Sequence, residues 1–161
     1  MTKNFFEIIE HVMSVVCVNA ITDKDSNTMS LINLIERLNV TLTPTVEAEK
    51  KRAEIGWYST PIVVQVVSRF YRKEEGTDMS FDLQSYIVGP EGKSMGANKE
   101  STFAFPKNLK NLRMVGNIAG FPVSMSGMYY VVVRIKDVGE SDYVEVARIP
   151  IEVSLTVKTE S

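Results

Sequence analysis

The sequence is poor in the residues that carry most enzyme chemistry, because its 161 residues include one cysteine, one histidine and one tryptophan. A single cysteine, Cys17, excludes an internal disulfide framework. Cys17 and His11 alone cannot form a structural zinc site. His11 also has no signalled partner for a Ser-His-Asp or Cys-His system. We therefore expect a non-enzymatic protein without catalytic residues or a cofactor.

Long apolar runs and a surplus of one charge are also absent. A net charge of -2 and a pI near 5.5 give no electrostatic reason to expect nucleic acid as a partner. No stretch reaches the roughly eighteen apolar residues of a membrane span. The first twenty residues resemble a signal peptide, but Glu7, Glu10 and His11 interrupt the apolar part. We expect a cytoplasmic protein.

The sequence does contain many short runs of alternating polarity separated by turn residues. An apolar fraction of 44% supplies a core, and the length fits one domain over residues 1–161. About eight β runs predict an all-β fold, an antiparallel β-sandwich of the immunoglobulin-like or C2-like kind with little helix. The clearest runs are residues 12–22, 57–71, 79–88, 128–136 and 143–157.

Several segments have ambiguous local patterns. Residues 29–42 combine helical spacing with near-alternation, and we favour a strand because their Asn-Val-Thr ending suits one. Residues 43–56 form a polar connection with room for one helical turn. Gly116 and Gly120 predict a bulge or a close backbone approach.

Turn and core motifs are spread along the chain. They are Cys17, Asp23, Ser30-Leu31-Ile32, Pro90-Glu91-Gly92, Gly127-Met128-Tyr129 and Ile149-Pro150-Ile151-Glu152-Val153. This set resembles the motifs of a family of uncharacterised bacterial β-sandwich proteins, a domain of unknown function. The resemblance implies the sandwich fold and no assigned activity, and it transfers no functional residue.

Acidic turns suggest a cation site. Asp23, Asp25 and Asn27 have the spacing of a calcium loop, but Thr28 and Leu34 stand where an EF-hand needs glycine and glutamate, which excludes that motif. If each strand reverses direction, the turns after the first, third and seventh strands share one end of the sandwich. The proposed metal ligands are Asp23, Asp25, Asp137 and Asp142, with Glu74, Glu75, Asp78 and Glu140 nearby. The alternative is that these are ordinary polar turns.

Aromatic residues offer a second ligand hypothesis, a platform on which sugar rings stack. The candidates are Trp57, Tyr58, Tyr71, Tyr86, Tyr129 and Tyr130. The alternative is that they fill the sandwich core.

Protein interaction is the function that this composition favours, with calcium or carbohydrate binding as the alternative. Pro150 removes a backbone donor and predicts an edge strand or a bulge. The strand before it, "MYYVVVRIK", is apolar and weakly protected by Arg134 and Lys136. We expect an unknown protein partner or a second copy to cover a sheet edge or an aromatic face near residues 128–155.

Overall fold

The computed structural model describes residues 5–74 and 76–159, of which 62% lie in strands and 9% in helices. Within these described residues, two helices and eleven strands follow one another. Their bounds are α1 Phe5–Ile8, β1 Ile9–Thr22, β2 Met29–Leu34, β3 Arg37–Leu42, α2 Val46–Ile55, β4 Tyr58–Ser59, β5 Val63–Arg72, β6 Met79–Val88, β7 Ser94–Phe105, β8 Asn111–Ala119, β9 Pro122–Val123, β10 Gly127–Asp137 and β11 Val144–Val157.

Two sheets pack face to face and confirm the predicted β-sandwich. The four-stranded sheet has the order β2-β1-β5-β8, and the five-stranded sheet has the order β3-β11-β10-β6-β7. The short strands β4 and β9 pair separately. The core lies between the inner faces, where Val64 and Val66 of β5 join Val131 and Val133 of β10 in one buried cluster. Alternating side chains of both sheets therefore supply the buried surface.

Residues 29–42 form two strands in different sheets, so the prediction of one strand there is wrong. Ile35 and Glu36 carry the chain from β2 in one sheet to β3 in the other. β3 then pairs with β11 in parallel, with Arg37 opposite Glu152, so the sandwich is not wholly antiparallel. The mixed periodicity of the sequence arises because two strands with different buried faces follow each other without a turn-rich linker.

Helix α2 spans ten residues, longer than the single turn expected. The Thr45 hydroxyl accepts a hydrogen bond from the Ala48 N–H at 3.2 Å and caps the first turn. Gly56 ends the helix in the left-handed conformation, with φ of 90°. No described residue of α2 is buried. Tyr58 donates to the Glu49 carboxylate at 2.6 Å, and Arg52 stacks on the Tyr58 ring at 4.8 Å, which attaches the helix to β4.

Strand β10 lies between β6 and β11 and is not an edge strand, which corrects the expectation of an unprotected edge at residues 128–136. Its outward-facing Val132 is fully buried.

Pro150 of β11 pairs with Tyr130 in β10, and the ladder between β11 and β3 begins only at Glu152. Pro150 therefore lies in the half of β11 that has one neighbouring strand, where a missing N–H is tolerated.

The two glycines near the end of β8 differ in role. Gly120 has a φ of 71°, and a Cβ there would lie 2.7 Å from the Ser59 hydroxyl oxygen, so the predicted close approach is confirmed. Gly116 lies in the regular ladder opposite Val66, without a bulge and with open space around it. Of these two glycines, only Gly120 is required by the backbone conformation.

Arg72 at the end of β5 joins the two sheets and is only 1% exposed. Its guanidinium donates to the carbonyl oxygens of Thr77 at 3.0 Å, Phe105 at 2.5 Å and Pro106 at 3.3 Å. It also stacks on the Phe105 ring, 4.7 Å from the centroid. No carboxylate in the described part of the chain pairs with it, so carbonyl dipoles and the aromatic face compensate its buried charge.

Replacing Arg72 with methionine keeps an apolar stem but leaves three carbonyl groups without their donor. We expect Arg72→Met to lower the free energy of unfolding by about 3 kcal/mol, measured by urea denaturation. Arg37→Met is the matched control, because that exposed arginine pairs with Glu152 in solvent, and its loss should stay below about 1 kcal/mol. Equal losses in the two variants would contradict the role assigned to Arg72.

Candidate functional site

The turn at residues 23–28 is a corner held by its own hydrogen bonds. The Asp23 carboxylate accepts from the Asp25 N–H at 2.9 Å and from the Ser26 hydroxyl at 2.7 Å. The Ser26 hydroxyl, followed by the backbone N–H groups, lowers the pKa of Asp23. The Asp23 N–H donates to the Thr28 carbonyl across the turn. This is the local bonding of an Asx turn.

The proposed metal ligands do not come together. Asp137 ends β10 and Asp142 lies in the following loop of the five-stranded sheet, whereas Asp23 and Asp25 lie at the tip of the β1–β2 hairpin of the other sheet. Among residues 5–74 and 76–159, no three His, Cys, Asp or Glu side chains form a group that could hold a metal ion. Glu75, named with the acidic turns, lies outside the described residues. The geometry therefore gives the cation hypothesis no support.

The six aromatic candidates do not lie together. Trp57 packs against the core, and Tyr71 is half-buried on β5 of the four-stranded sheet. Tyr58 and Tyr129 are buried, at 5% and 0% exposure. Tyr86 and Tyr130 lie on the outer face of the five-stranded sheet, where Arg134 and Arg148 stack on their rings at 4.9 and 5.4 Å. Their outer ring faces are thus already occupied by guanidinium groups.

Charges on that outer face are paired within the chain. Lys136 lies 3.5 Å from the Asp82 carboxylate, and Arg134 stacks on Tyr143 as well as on Tyr86. Burial, followed by the neighbouring Glu100, raises the pKa of Tyr143 to about 12, so its hydroxyl stays protonated. Lys136 and Arg134 therefore already have partners within this chain.

The β1–β2 hairpin curls over the outer face of the four-stranded sheet. β1 pairs with β5 up to Cys17 and from there only with β2. The Gln65 side chain, on the outer face of β5, accepts from the Ala20 N–H at 2.6 Å and donates to the Asn117 side chain of β8 at 3.0 Å. Val67 faces outward yet is only 2% exposed. The hairpin therefore covers the middle of this face.

A groove of about 600 Å³ remains between the hairpin and the sheet. β2 and β8, the two edge strands of the sheet, contribute to its walls, and β1 and β5 contribute to its floor. Six lining residues are apolar, two are asparagines and two are arginines. They are Met13, Asn27, Met29, Leu31, Val67, Arg69, Leu109, Asn111, Leu112 and Arg113.

Arg69 and Arg113 face each other across the β5–β8 ladder at this groove. Arg69 donates to the Asn111 side-chain oxygen at 2.8 Å. Arg113 donates to the backbone carbonyl of Asn27 at 2.8 Å and to its side-chain oxygen, which ties β8 to the hairpin tip. Each of these bonds uses Nη2, and no carboxylate of the described chain pairs with either guanidinium. Two like charges are thus held side by side with neutral partners.

Cys17 and His11 lie away from the groove lining. Cys17 is fully buried where β1 passes from β5 to β2. His11 is half-buried against Phe70, with Nε2 at 2.8 Å from the Ser14 hydroxyl, which in turn lies 2.7 Å from the Ser68 hydroxyl. Burial lowers the pKa of His11, which favours the neutral ring.

Comparison with protein-family models and with curated proteins finds no match. Among solved structures, a β-glucuronidase from glycoside hydrolase family 2 is 21% identical over 60% of this chain, with a TM-score of 0.41. The chain spans 11% of that enzyme's length. The N-terminal domain of PorA is 7% identical over 89% of this chain and 97% of its own, with a TM-score of 0.27. No activity is transferred from likeness this low.

No helix among the described residues has the length and apolar character needed to cross a bilayer. The longer helix, α2, spans ten residues, "VEAEKKRAEI", of which six are charged.

The groove arginines were not among the residues that sequence reasoning selected. The available signal was the apolar character of both faces of β1 and β5, where Met13, Val15 and Val67 alternate with the core residues. A strand that is apolar on both faces is covered on both faces. That pattern indicates a cover over the sheet and does not tell which segment supplies it.

Burial raises the pKa of the Cys17 thiol, which makes the reactive thiolate scarcer. We expect the native protein to react with a maleimide far more slowly than the urea-unfolded chain, which serves as the matched control. Mass spectrometry measures the labelled fraction over time. Native labelling at the unfolded rate would contradict this prediction.

The lowered pKa of His11 predicts a pH dependence of stability. The unfolded chain takes up a proton at the ordinary pKa near 6.5, before the folded chain does, so stability is complete above that pH and declines as the pH falls below it. We expect the wild type to lose more stability between pH 7.5 and 5 than His11→Gln, measured by urea denaturation at each pH. NMR titration of the single imidazole should give a midpoint below 6.5, and a midpoint above it would contradict the assignment.

Proposed function

We propose that this chain is a non-enzymatic interaction module that binds an extended segment of a protein partner in the groove beneath the β1–β2 hairpin. The observation that carries the proposal is the curl of the four-stranded sheet, which leaves an open groove of about 600 Å³ beside two edge strands. This volume accommodates a few side chains of a bound segment.

Edge strands favour a peptide as the ligand. Within the described part of the chain, β2 pairs only with β1 and β8 pairs only with β5, so each has backbone N–H and C=O groups available to an added strand. Backbone pairing supplies affinity in such complexes, and pockets for alternate side chains supply specificity. The apolar side chains of Met13, Leu31 and Val67 offer such a pocket.

The chemistry of the lining supports binding rather than catalysis. Its polar members are two amides and two guanidinium groups. An amide neither attacks a substrate nor accepts a proton at ordinary pH, and a guanidinium stays charged. The lining therefore contains no nucleophile or general base.

The experiment is a selection of peptides from a random display library on the immobilised protein. Met29→Trp places a larger side chain in the groove, and Ala104→Trp adds the same side chain to β7 of the other sheet as the matched control. We expect selected peptides to bind Met29→Trp at least tenfold more weakly, and to bind Ala104→Trp like the wild type.

NMR then maps the binding surface on the wild type. Amide signals of the β1–β2 hairpin, β5 and β8 should shift on addition of a selected peptide. Urea denaturation of both tryptophan variants shows whether each retains the fold. The proposal fails if no peptide is enriched, or if the shifts map to the outer face of the five-stranded sheet.

A further inference from the structure

We infer that Arg69 and Arg113 form a carboxylate-binding pair, so that the groove selects an acidic segment of the partner. The inference rests on the proposed function, because it names the chemistry that the same groove recognises. The segment would carry an aspartate or glutamate between aliphatic residues.

The first argument is the position of the two guanidinium groups. Arg69 and Arg113 are direct partners in the β5–β8 ladder and point to the same face. Side chains opposite each other in a sheet lie close together, and like charges in that position destabilise it. A carboxylate between them would remove this repulsion and accept hydrogen bonds from both groups.

The second argument is a comparison with two solvent-exposed arginines elsewhere in the chain. Arg37 pairs with Glu152 at 2.6 Å, and Arg148 pairs with Glu145 at 2.8 Å. These exposed arginines therefore have acidic partners. Arg69 and Arg113 instead have asparagine oxygens, which orient a guanidinium without neutralising its charge.

The third argument is the donors that stay available. The described residues use Nη2 of each arginine and supply no acceptor to Nε or Nη1. A planar carboxylate matches the fork of a guanidinium, and two parallel N–H bonds fix its orientation. The groove lining contains no Asp or Glu that could occupy this place.

The fourth argument concerns the neighbours of the pair. Six of the ten lining residues are apolar, among them Met13 and Leu112 on strands that carry or flank the arginines. Simple inorganic anions would leave this apolar surface uncovered. Aliphatic side chains on either side of an acidic residue would cover it, which favours a peptide over a small anion.

The test uses peptides selected on the wild type, each paired with a version in which Asn or Gln replaces every Asp or Glu. The protein variants are Arg69→Gln, Arg113→Gln and their double variant, and Arg37→Gln on β3 is the matched control. Affinities are measured by titration calorimetry at low and high salt. Amide shifts verify that each peptide still occupies the groove.

We expect the selected peptides to carry an acidic residue at one shared position, and its amide version to bind the wild type at least tenfold more weakly. The double variant should bind the acidic and amide versions equally, whereas Arg37→Gln should retain the preference. Affinity for the acidic version should fall as salt increases. Lysine at both positions keeps the charge without the fork and should retain only part of the preference.

Two failures are distinguishable. Peptides that occupy the groove with no acidic preference, or with a preference that the double variant retains, would overturn the carboxylate pair and leave the groove as an interaction site. The absence of any groove-binding peptide would overturn both proposals.

Discussion

The buried guanidinium of Arg72 is the contact that most directly fixes one sheet against the other. A charge without water around it is costly unless its hydrogen bonds are made and its field is compensated. Here the Thr77, Phe105 and Pro106 carbonyls, which belong to the β5–β6 loop and to the end of β7, converge on one side chain of β5. An arginine bonded in this way requires all three segments to be in place together, so it specifies the relative position of the sheets more sharply than apolar packing does.

The curl of the β1–β2 hairpin depends on weaker polar contacts. The Gln65 amide bridges the hairpin to β8, and Arg113 reaches the hairpin tip at Asn27. These contacts lie on the outer face of the sheet, whereas the Arg72 guanidinium lies between the two sheets. The floor of the groove therefore consists of β1 and β5, which have a neighbouring strand on each side, whereas a few polar contacts hold the hairpin above it. Binding sites on loops positioned by a β scaffold are common. Elements that admit ligands are drawn from the less stable parts of a fold.

The sequence predicts the fold well where one buried face repeats in alternation. In the alternating run of β6, Phe81 and Ile87 are at most 2% exposed, and Leu83 packs against the core. The strands β10 and β11 were predicted for the same reason, as the runs 128–136 and 143–157. The parallel pairing of β3 with β11 was not, because the partner lies more than a hundred residues away and local pattern carries no information about it.

The candidate site was harder to predict than the fold. Asp23 and Asp25 have the spacing of cation ligands. The same spacing occurs in a plain turn, and here the Asp23 carboxylate accepts hydrogen bonds from within that turn. Arg69 and Arg113 have no motif, since their proximity arises from strand register and their groove from the curl of a hairpin. Convergence of side chains from separate strands is a tertiary property, and single-sequence patterns record only local ones.

The parallel ladder between β3 and β11 has a consequence for synthesis of the chain. Arg37 and its partner Glu152 are separated by 115 residues, and β3 has no other neighbour in its sheet. While the ribosome extends the chain, both backbone edges of β3 remain unpaired until β11 emerges. A nascent protein in this state presents an open strand to other chains, which is the kind of surface that chaperones shield.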